Sequence, residues 1–366
     1  MTNSAGRSKG FATDVVRATN VEDSSSVPIH LAVTNKGQYT RDFNPTLDVF
    51  EKAMAKLECG QAAIAAACGM AAITQTLLTL LNHGDRMVTH RCMYTSTAQF
   101  FWEVLNRFGI EVAMADLRDP TALADALADK TAVVYGETIT NPNLEIFDIR
   151  AVAEAAHRTG AKLVIDNTFA SPYLCRPLLL GADVVVQSAT KYLSGHGDAL
   201  AGVTVCRDKE IADRIRHVMT IHGGVLSPVN AALILRSIKT LPVRMDAHCR
   251  NAMKLAEFLE RHPKVTRVRY PGLPDDTEHA TAAGQMDDFS GILGFHFAGG
   301  QEAADAFLTH IKLAKPWTSL GDVETLVGIC REWEPNAIPG AYARVSVGLE
   351  NVDDIIADFE QALAKV

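Results

Sequence analysis

The sequence predicts an α/β protein: a large domain built on a mostly parallel sheet, followed by a smaller α+β domain at the C-terminal end. Three observations predict it. From about residue 46 onward, apolar strand-like runs alternate with capped helical segments, the pattern of strand–helix–strand units. The runs TAVVYGETI, KLVIDNT and DVVVQSATK are apolar enough to be buried. Past about residue 230 the alternation gives way to one long helical stretch and a few separate strands.

Taken in order, residues 1–45 are polar and Ser-rich at Ser24 to Ser26, with a turn-like Asn35-Lys36-Gly37, and read as an extended arm. Residues 46–229 form the large domain. Within it, Ala62 to Leu81 is apolar for about the length of a membrane span. The run is Ala-rich, contains Gln75 and carries Gly69, so it reads as a buried helix packed on the sheet. Asp119-Pro120 supplies a cap and a first-turn proline to the TALADAL helix. Asp148 caps IRAVAEAAHRT, and Gly160 ends it. Residues 230–366 form the smaller domain. It opens with a helical stretch from Asn230 to Arg261 and continues through the strands TRVRYPG, GILGFHF and ARVSVGLE. A terminal helix follows, capped by Asn351, with Ile355, Ile356, Phe359 and Leu363 along one face.

Composition excludes several classes. With 35 basic against 43 acidic residues, a net charge of −8 and no basic run, the chain is a poor nucleic-acid ligand. Seven widely spaced cysteines without a CxxC pair argue against a disulfide framework and a zinc site, and point to a reducing, cytoplasmic setting. The opening MTNSAGRSKGFATD has no apolar signal region, and no membrane role is expected. His196, His217, His222, His248 and His279 lack metal-ligand spacing and read as surface or hydrogen-bonded core groups; no metal is expected.

Chemistry concentrates at two strand ends. LVIDNT offers Asp166 and VVVQSATK leads to Lys191, a carboxylate and an amine on runs too apolar to hold a charge inside the sheet. Pyridoxal 5′-phosphate (PLP) needs this pair: a lysine amine of lowered pKa for its aldehyde, and a carboxylate that keeps its ring nitrogen protonated. Ser188 and Thr190 offer hydroxyls to a phosphate, and CGMAAI offers a glycine turn into a helix N-terminus. Taken singly, each is also an ordinary strand-end lysine, turn aspartate, loop cap or packing glycine. The chain has neither GxxxxGK nor GxGxxG.

The segments YTRDFNPT (39–46), CGMAAI (68–73), ETITNP (137–142), VIDNTFASPYL (164–174), QSATKYLSGHGD (187–198), GGVLSP (223–228), IKTLPVRM (238–245), HPKVTRVRYPGLP (262–274), SLGDVETL (319–326) and RVSVGLE (344–350) occur in this order. Together they resemble the cystathionine γ-synthase, cystathionine γ-lyase and methionine γ-lyase family over almost the whole chain. The resemblance implies the aspartate-aminotransferase-type fold of PLP-dependent transferases. It also implies roles: Lys191 as the Schiff-base lysine, Asp166 as partner of the ring nitrogen, and Ser188, Thr190, Gly69 and Met70 as the phosphate cradle. Tyr94 resembles the tyrosine that stacks on the cofactor ring and exchanges protons, and Asn141 the asparagine near the ring hydroxyl. Tyr39 and Arg41 resemble the pair that reaches the phosphate of a neighbouring subunit, which implies a dimer completing its sites, usually within a homotetramer. Arg344 and Ser319 resemble the groups that hold the substrate carboxylate. In AYARVSVG, Val345 and Val347 face one side while Arg344 and Ser346 face the other, so the guanidinium is presented from a strand.

The implied activity is γ-elimination from a sulfur amino acid of the methionine or cystathionine type. A γ-replacement synthase is the alternative, and a non-catalytic PLP-fold protein is a third. Within the family pattern, Thr318 replaces the acidic residue or tyrosine of cystathionine-handling members. SLGD leans towards methionine γ-lyases, and Ser96 replaces their usual cysteine. The segments 28–39 and 326–344 are shorter than usual.

Overall fold

Helix starts are written into the local sequence. The Asp148 carboxylate accepts from the amides of Arg150 and Ala151 at 2.9 and 3.1 Å to open Ile149–Arg158, and Gly160 closes that turn with a left-handed φ of +83°. Asp119 does the same for Pro120–Ala126. A computed structural model describes residues 10–21, 24, 26–35, 38–330 and 341–366.

The strands are β1 (Thr34–Asn35), β2 (Gln38–Tyr39), β3 (Ala62–Ala66), β4 (Arg86–His90), β5 (Glu111–Ala115), β6 (Val133–Glu137), β7 (Lys162–Asp166), β8 (Val184–Ser188), β9 (Gly202–Cys206), β10 (Val265–Arg269), β11 (Ile292–Phe297), β12 (Leu326–Cys330) and β13 (Tyr342–Ser346). β1 and β2 make a short antiparallel ribbon. Seven strands form the large sheet in the order β3-β9-β8-β7-β6-β4-β5, with only β9 running against the rest. The expected α/β class with a mostly parallel sheet is therefore borne out. β10-β11-β13-β12 form an all-antiparallel second sheet.

Side chains of the large sheet alternate between two cores. Val134, Leu163, Ile165, Val185 and Val205 join the core that includes Phe50, Met54 and Leu57 of helix Pro45–Leu57. Val133, Tyr135, Val164, Val184 and Val186 join a second, with Ile73 and Leu77 of helix Gly69–Leu80 and Ile215 of helix Lys209–His222. A third core lies against the smaller sheet, holding Val345 and Val347 as the alternation in AYARVSVG predicts.

Several elements differ from the sequence expectation. The apolar run from Ala62 is not one helix: Ala62–Ala66 is strand β3, and the helix begins at Gly69. Its residues are apolar throughout because both elements are buried, so hydropathy alone does not separate them. The stretch Asn230–Arg261 is two helices, Pro228–Ile238 and Leu241–Glu260, since Pro242 has no amide to continue a helix and sits in the first turn of the second. Part of the N-terminal arm is helical: Phe11–Ala18 buries Phe11 and Val15, a spacing of four that a single helical turn brings together. β12 has no counterpart in the sequence reading. Of the shortened segment 326–344, residues 331–340 lie outside the described residues, as do positions 36 and 37 of the other. Among the described residues no helix is long and apolar enough to cross a membrane.

Candidate active site

The strand ends of the large sheet converge on one cavity of about 520 Å³, as open α/β sheets dictate. β3 leads through Cys68 into helix Gly69–Leu80, whose N-terminus opens on the cavity. Gly69 passes so close to β8 that a Cβ there would lie 2.7 Å from the Ser188 Cβ, which is why this turn takes only glycine. β4 leads to Tyr94, β6 ends in Glu137, β7 in Asp166 and β8 in Ser188, followed by Thr190 and Lys191. The smaller sheet closes the cavity with Arg344 from β13 and Ser319 from the loop that leads into β12. Ser319 holds a left-handed φ of +102°, a strained conformation for a residue other than glycine.

Ten of the twelve residues singled out from the sequence line this cavity: Gly69, Met70, Tyr94, Asn141, Asp166, Ser188, Thr190, Lys191, Ser319 and Arg344. Tyr39 and Arg41 do not. Tyr39 is exposed, with the Arg41 guanidinium 5.2 Å from its ring centroid.

Burial sets the electrostatics. Asp166 is buried, and Thr168 donates both its amide (2.9 Å) and its hydroxyl (2.5 Å) to the same carboxylate oxygen, while the Ser188 amide donates to that hydroxyl at 2.9 Å. Desolvation nevertheless raises the Asp166 pKa. Glu137 lies directly opposite Asp166 in the β6–β7 register; burial and then that second carboxylate push its pKa up, while the Tyr94 and Asn141 amides, one on each oxygen, favour the ionised form. The Lys191 amine is held down to about 8, first by desolvation and then by the positive Arg344, and donates to Ser319 Oγ at 2.6 Å. A substantial fraction is thus the neutral amine that a nucleophile requires. Arg344 donates from Nη1 to Asn141 Oδ1 (2.9 Å) and from Nη2 to the Ser319 carbonyl (3.0 Å); its buried Nε has no acceptor among the described residues.

These residues fit a flat, phosphate-bearing aromatic aldehyde. The desolvated Lys191 amine would serve the aldehyde, the buried Asp166 carboxylate a ring nitrogen, and the N-terminus of helix Gly69–Leu80 with Ser188 a phosphate. The Tyr94 ring, 44% exposed, leaves a face open for stacking. Thr190 departs from the simple expectation: its hydroxyl donates to the Ala201 carbonyl at 3.1 Å and accepts the Ala201 amide at 3.0 Å. Sequence reasoning assigned no role to Thr168 or Glu137. Both stand inside quoted segments, DNTF and ETITNP; the Asp-x-Thr spacing was a local signal for Thr168, whereas a lone Glu carries none until strand register places Glu137 beside Asp166.

A mostly parallel sheet that gathers an amine of lowered pKa, a buried carboxylate and a glycine-opened helix at its strand ends defines a PLP enzyme of the α/β class. The chain belongs to the family of Cys/Met metabolism PLP-dependent enzymes, matching it over residues 12–364. It is 46% identical over 341 residues to an L-methionine γ-lyase of Fusobacterium nucleatum subsp. polymorphum, covering 90% of this chain and 86% of that protein. It is 38% identical over 379 residues to a cystathionine γ-lyase of Dictyostelium discoideum, covering 97% and 98%. The crystal structure of a cystathionine γ-synthase from Xanthomonas oryzae pv. oryzae, in complex with aminoacrylate and cysteine, superposes with a TM-score of 0.93 at 34% identity, covering 97% and 98%. The expected family, fold and cofactor are borne out.

Proposed function

We propose that this protein is a carbon–sulfur lyase that eliminates the γ-substituent of a sulfur amino acid of the methionine or cystathionine type, releasing a thiol, 2-oxobutyrate and ammonia with consumption of water. The observation that carries this reading is the meeting of Lys191, Tyr94 and Arg344 in one cavity, in a chain 46% identical to a methionine γ-lyase.

PLP supplies an aldehyde that captures the amino group and a ring that withdraws electrons from Cα. The chain's own residues do the rest. Arg344, held on two sides by Asn141 and Ser319, takes the substrate carboxylate with its guanidinium, whose Nη1 and Nη2 each carry a second N–H. The Lys191 amine, with a pKa near 8, removes and returns protons at Cα and Cβ, and Ser319 Oγ steers it. Tyr94 delivers a proton to the departing sulfur. Asp166 keeps the far end of the cofactor protonated, with Thr168 fixing its orientation. Phosphate contacts would fall to Ser188 and the amides at Gly69 and Met70, while the Thr190 hydroxyl braces the turn through Ala201.

Two copies of the chain complete each site in this reading. Support comes from the segment around β1 and β2, which carries Tyr39 and Arg41 away from its own cavity and exposes Ile29, Leu31, Val33 and Phe43. A homotetramer and a cytoplasmic setting accompany it, the latter supported by the free thiols of Cys59, Cys68, Cys92, Cys175 and Cys206. The arm, large domain and small domain are proposed as 1–45, 46–229 and 230–366.

Incubation with methionine, cystathionine and an O-acylated homoserine tests the activity. Release of 2-oxobutyrate and thiol without an added acceptor is the expected result. Consumption that depends on an added thiol would instead assign a γ-replacement synthase, and inertness towards every donor would leave a non-catalytic protein.

A further inference from the structure

The groups around the cavity are joined by a chain of hydrogen-bonded residues that starts from Tyr94 and Glu137. Its Oε1 accepts the Tyr94 amide and its Oε2 the Asn141 amide, each at 2.8 Å. From Asn141 the chain runs to Arg344 Nη1 (2.9 Å), from Arg344 Nη2 to the Ser319 carbonyl (3.0 Å), and from Ser319 Oγ to Lys191 Nζ (2.6 Å). It crosses from the large sheet to the small one and ends on the amine.

We propose that Glu137 is a positioning residue that fixes the tyrosine and the carboxylate clamp relative to one another, by holding the Tyr94 and Asn141 loops on the end of β6. The proposal rests on the roles given above to Tyr94 and Arg344. Both amides need an outside acceptor: Tyr94 precedes the first turn of Thr95–Gln99, and Asn141 stands in an irregular turn before Pro142. Only a carboxylate can serve the two at once. A glutamine presents one oxygen and one NH2 group in place of the two oxygens, so one amide would face a donor. The position is also an expensive one for an acid, buried and directly beside Asp166. A site that needed only a filled volume would be better served by an apolar side chain.

Its test compares Glu137→Gln, Glu137→Asp and wild-type holoenzyme. In Glu137→Gln, cofactor content by visible absorbance stays close to wild type, while kcat falls and KM rises, for a loss of about 10²-fold in kcat/KM, the scale of a misplaced reacting group. Glu137→Asp, which restores a carboxylate that reaches the amides less well, lies between Gln and wild type. Calorimetric affinity for glycine, which offers the amino and carboxylate groups without a leaving group, falls about tenfold in Glu137→Gln. That readout is independent of turnover. A wild-type protein that binds glycine but turns over no donor would sink the lyase reading and leave the positioning role to the glycine data. Kinetic constants and glycine affinity in Glu137→Gln within twofold of wild type would overturn the proposal. So would a loss matched by lower thermal stability and lower cofactor content alone, with unchanged constants per loaded site.

Discussion

The two faces of the seven-stranded sheet each bury acidic side chains, and they use them differently. On the face covered by helix Gly69–Leu80, Asp166 and Glu137 end adjacent strands at the rim of the cavity. On the opposite face, Glu58, at the end of helix Pro45–Leu57, reaches Asn167 and Gln187, the immediate chain neighbours of Asp166 and Ser188. One Glu58 oxygen accepts the Asn167 amide group at 2.9 Å and that of Gln187, while the other is buried with no partner among the described residues. Desolvation raises its pKa to about 8, so at neutral pH it is mostly an uncharged acid. Because successive residues alternate in direction, one dipeptide at each strand end serves both faces: Asp166 and Ser188 point to chemistry, Asn167 and Gln187 to structure. The lesson is that a raised pKa does not by itself mark a functional acid; access to the cavity does.

The predictions press on that division. The largest effect belongs to the cavity face: Lys191→Ala abolishes both the visible absorbance of the bound cofactor and turnover, yet does not lower the melting temperature of the cofactor-free protein, because a desolvated amine is removed. An unchanged spectrum with full activity would end the assignment. In the wild type, the rate at which the cofactor-free protein takes up PLP, followed by absorbance, rises with pH as the amine deprotonates through about 8.

Gly69→Ala comes next. The added Cβ collides with Ser188 at the phosphate cradle, so PLP affinity falls by about 10²-fold in an equilibrium titration. Wild-type affinity in this variant would remove the cradle from the Gly69 turn.

Asn167→Ala probes the opposite face. The fully buried amide donates to Glu58 and to the Cys175 carbonyl and accepts from Thr138 Oγ1, so its loss leaves several buried groups without partners. Destabilisation of about 2–4 kcal/mol is expected in denaturant unfolding of the cofactor-free protein.

The smallest effect is a pH slope. The Glu58 pKa lies above its unfolded value, so its contribution to stability is fully present below about 4.5 and is lost as pH rises through about 8. Glu58→Gln stays neutral, and between pH 6 and 9 its stability declines less than that of the wild type, by on the order of a few kcal/mol. Parallel pH profiles for the two proteins would show that Glu58 carries its charge in the fold.

Some of this was legible in the residues alone. Caps at Asp119, Asp148 and Asn351 marked helix starts because a side chain bonds to amides two or three residues away, a purely local event. The strands ending in Asp166 and Ser188 were legible because burial on both faces makes every position apolar. The division of the run from Ala62 into strand and helix was not, since buried strand and buried helix share one composition. β12 escaped notice because LVGIC is short and draws its pairing from β13 across the sheet.

The sequence by itself determined the class of fold and the cofactor, and singled out the lysine, the carboxylate and the arginine that line the cavity, because each depends on residue type within a contiguous segment. Tertiary structure alone decided that Glu137 faces Asp166 and ties Tyr94 to Asn141. It also decided that Glu58 stands behind the sheet rather than in the cavity. Those relations join residues tens of positions apart, and only strand register and the alternation of side chains bring them within hydrogen-bond distance.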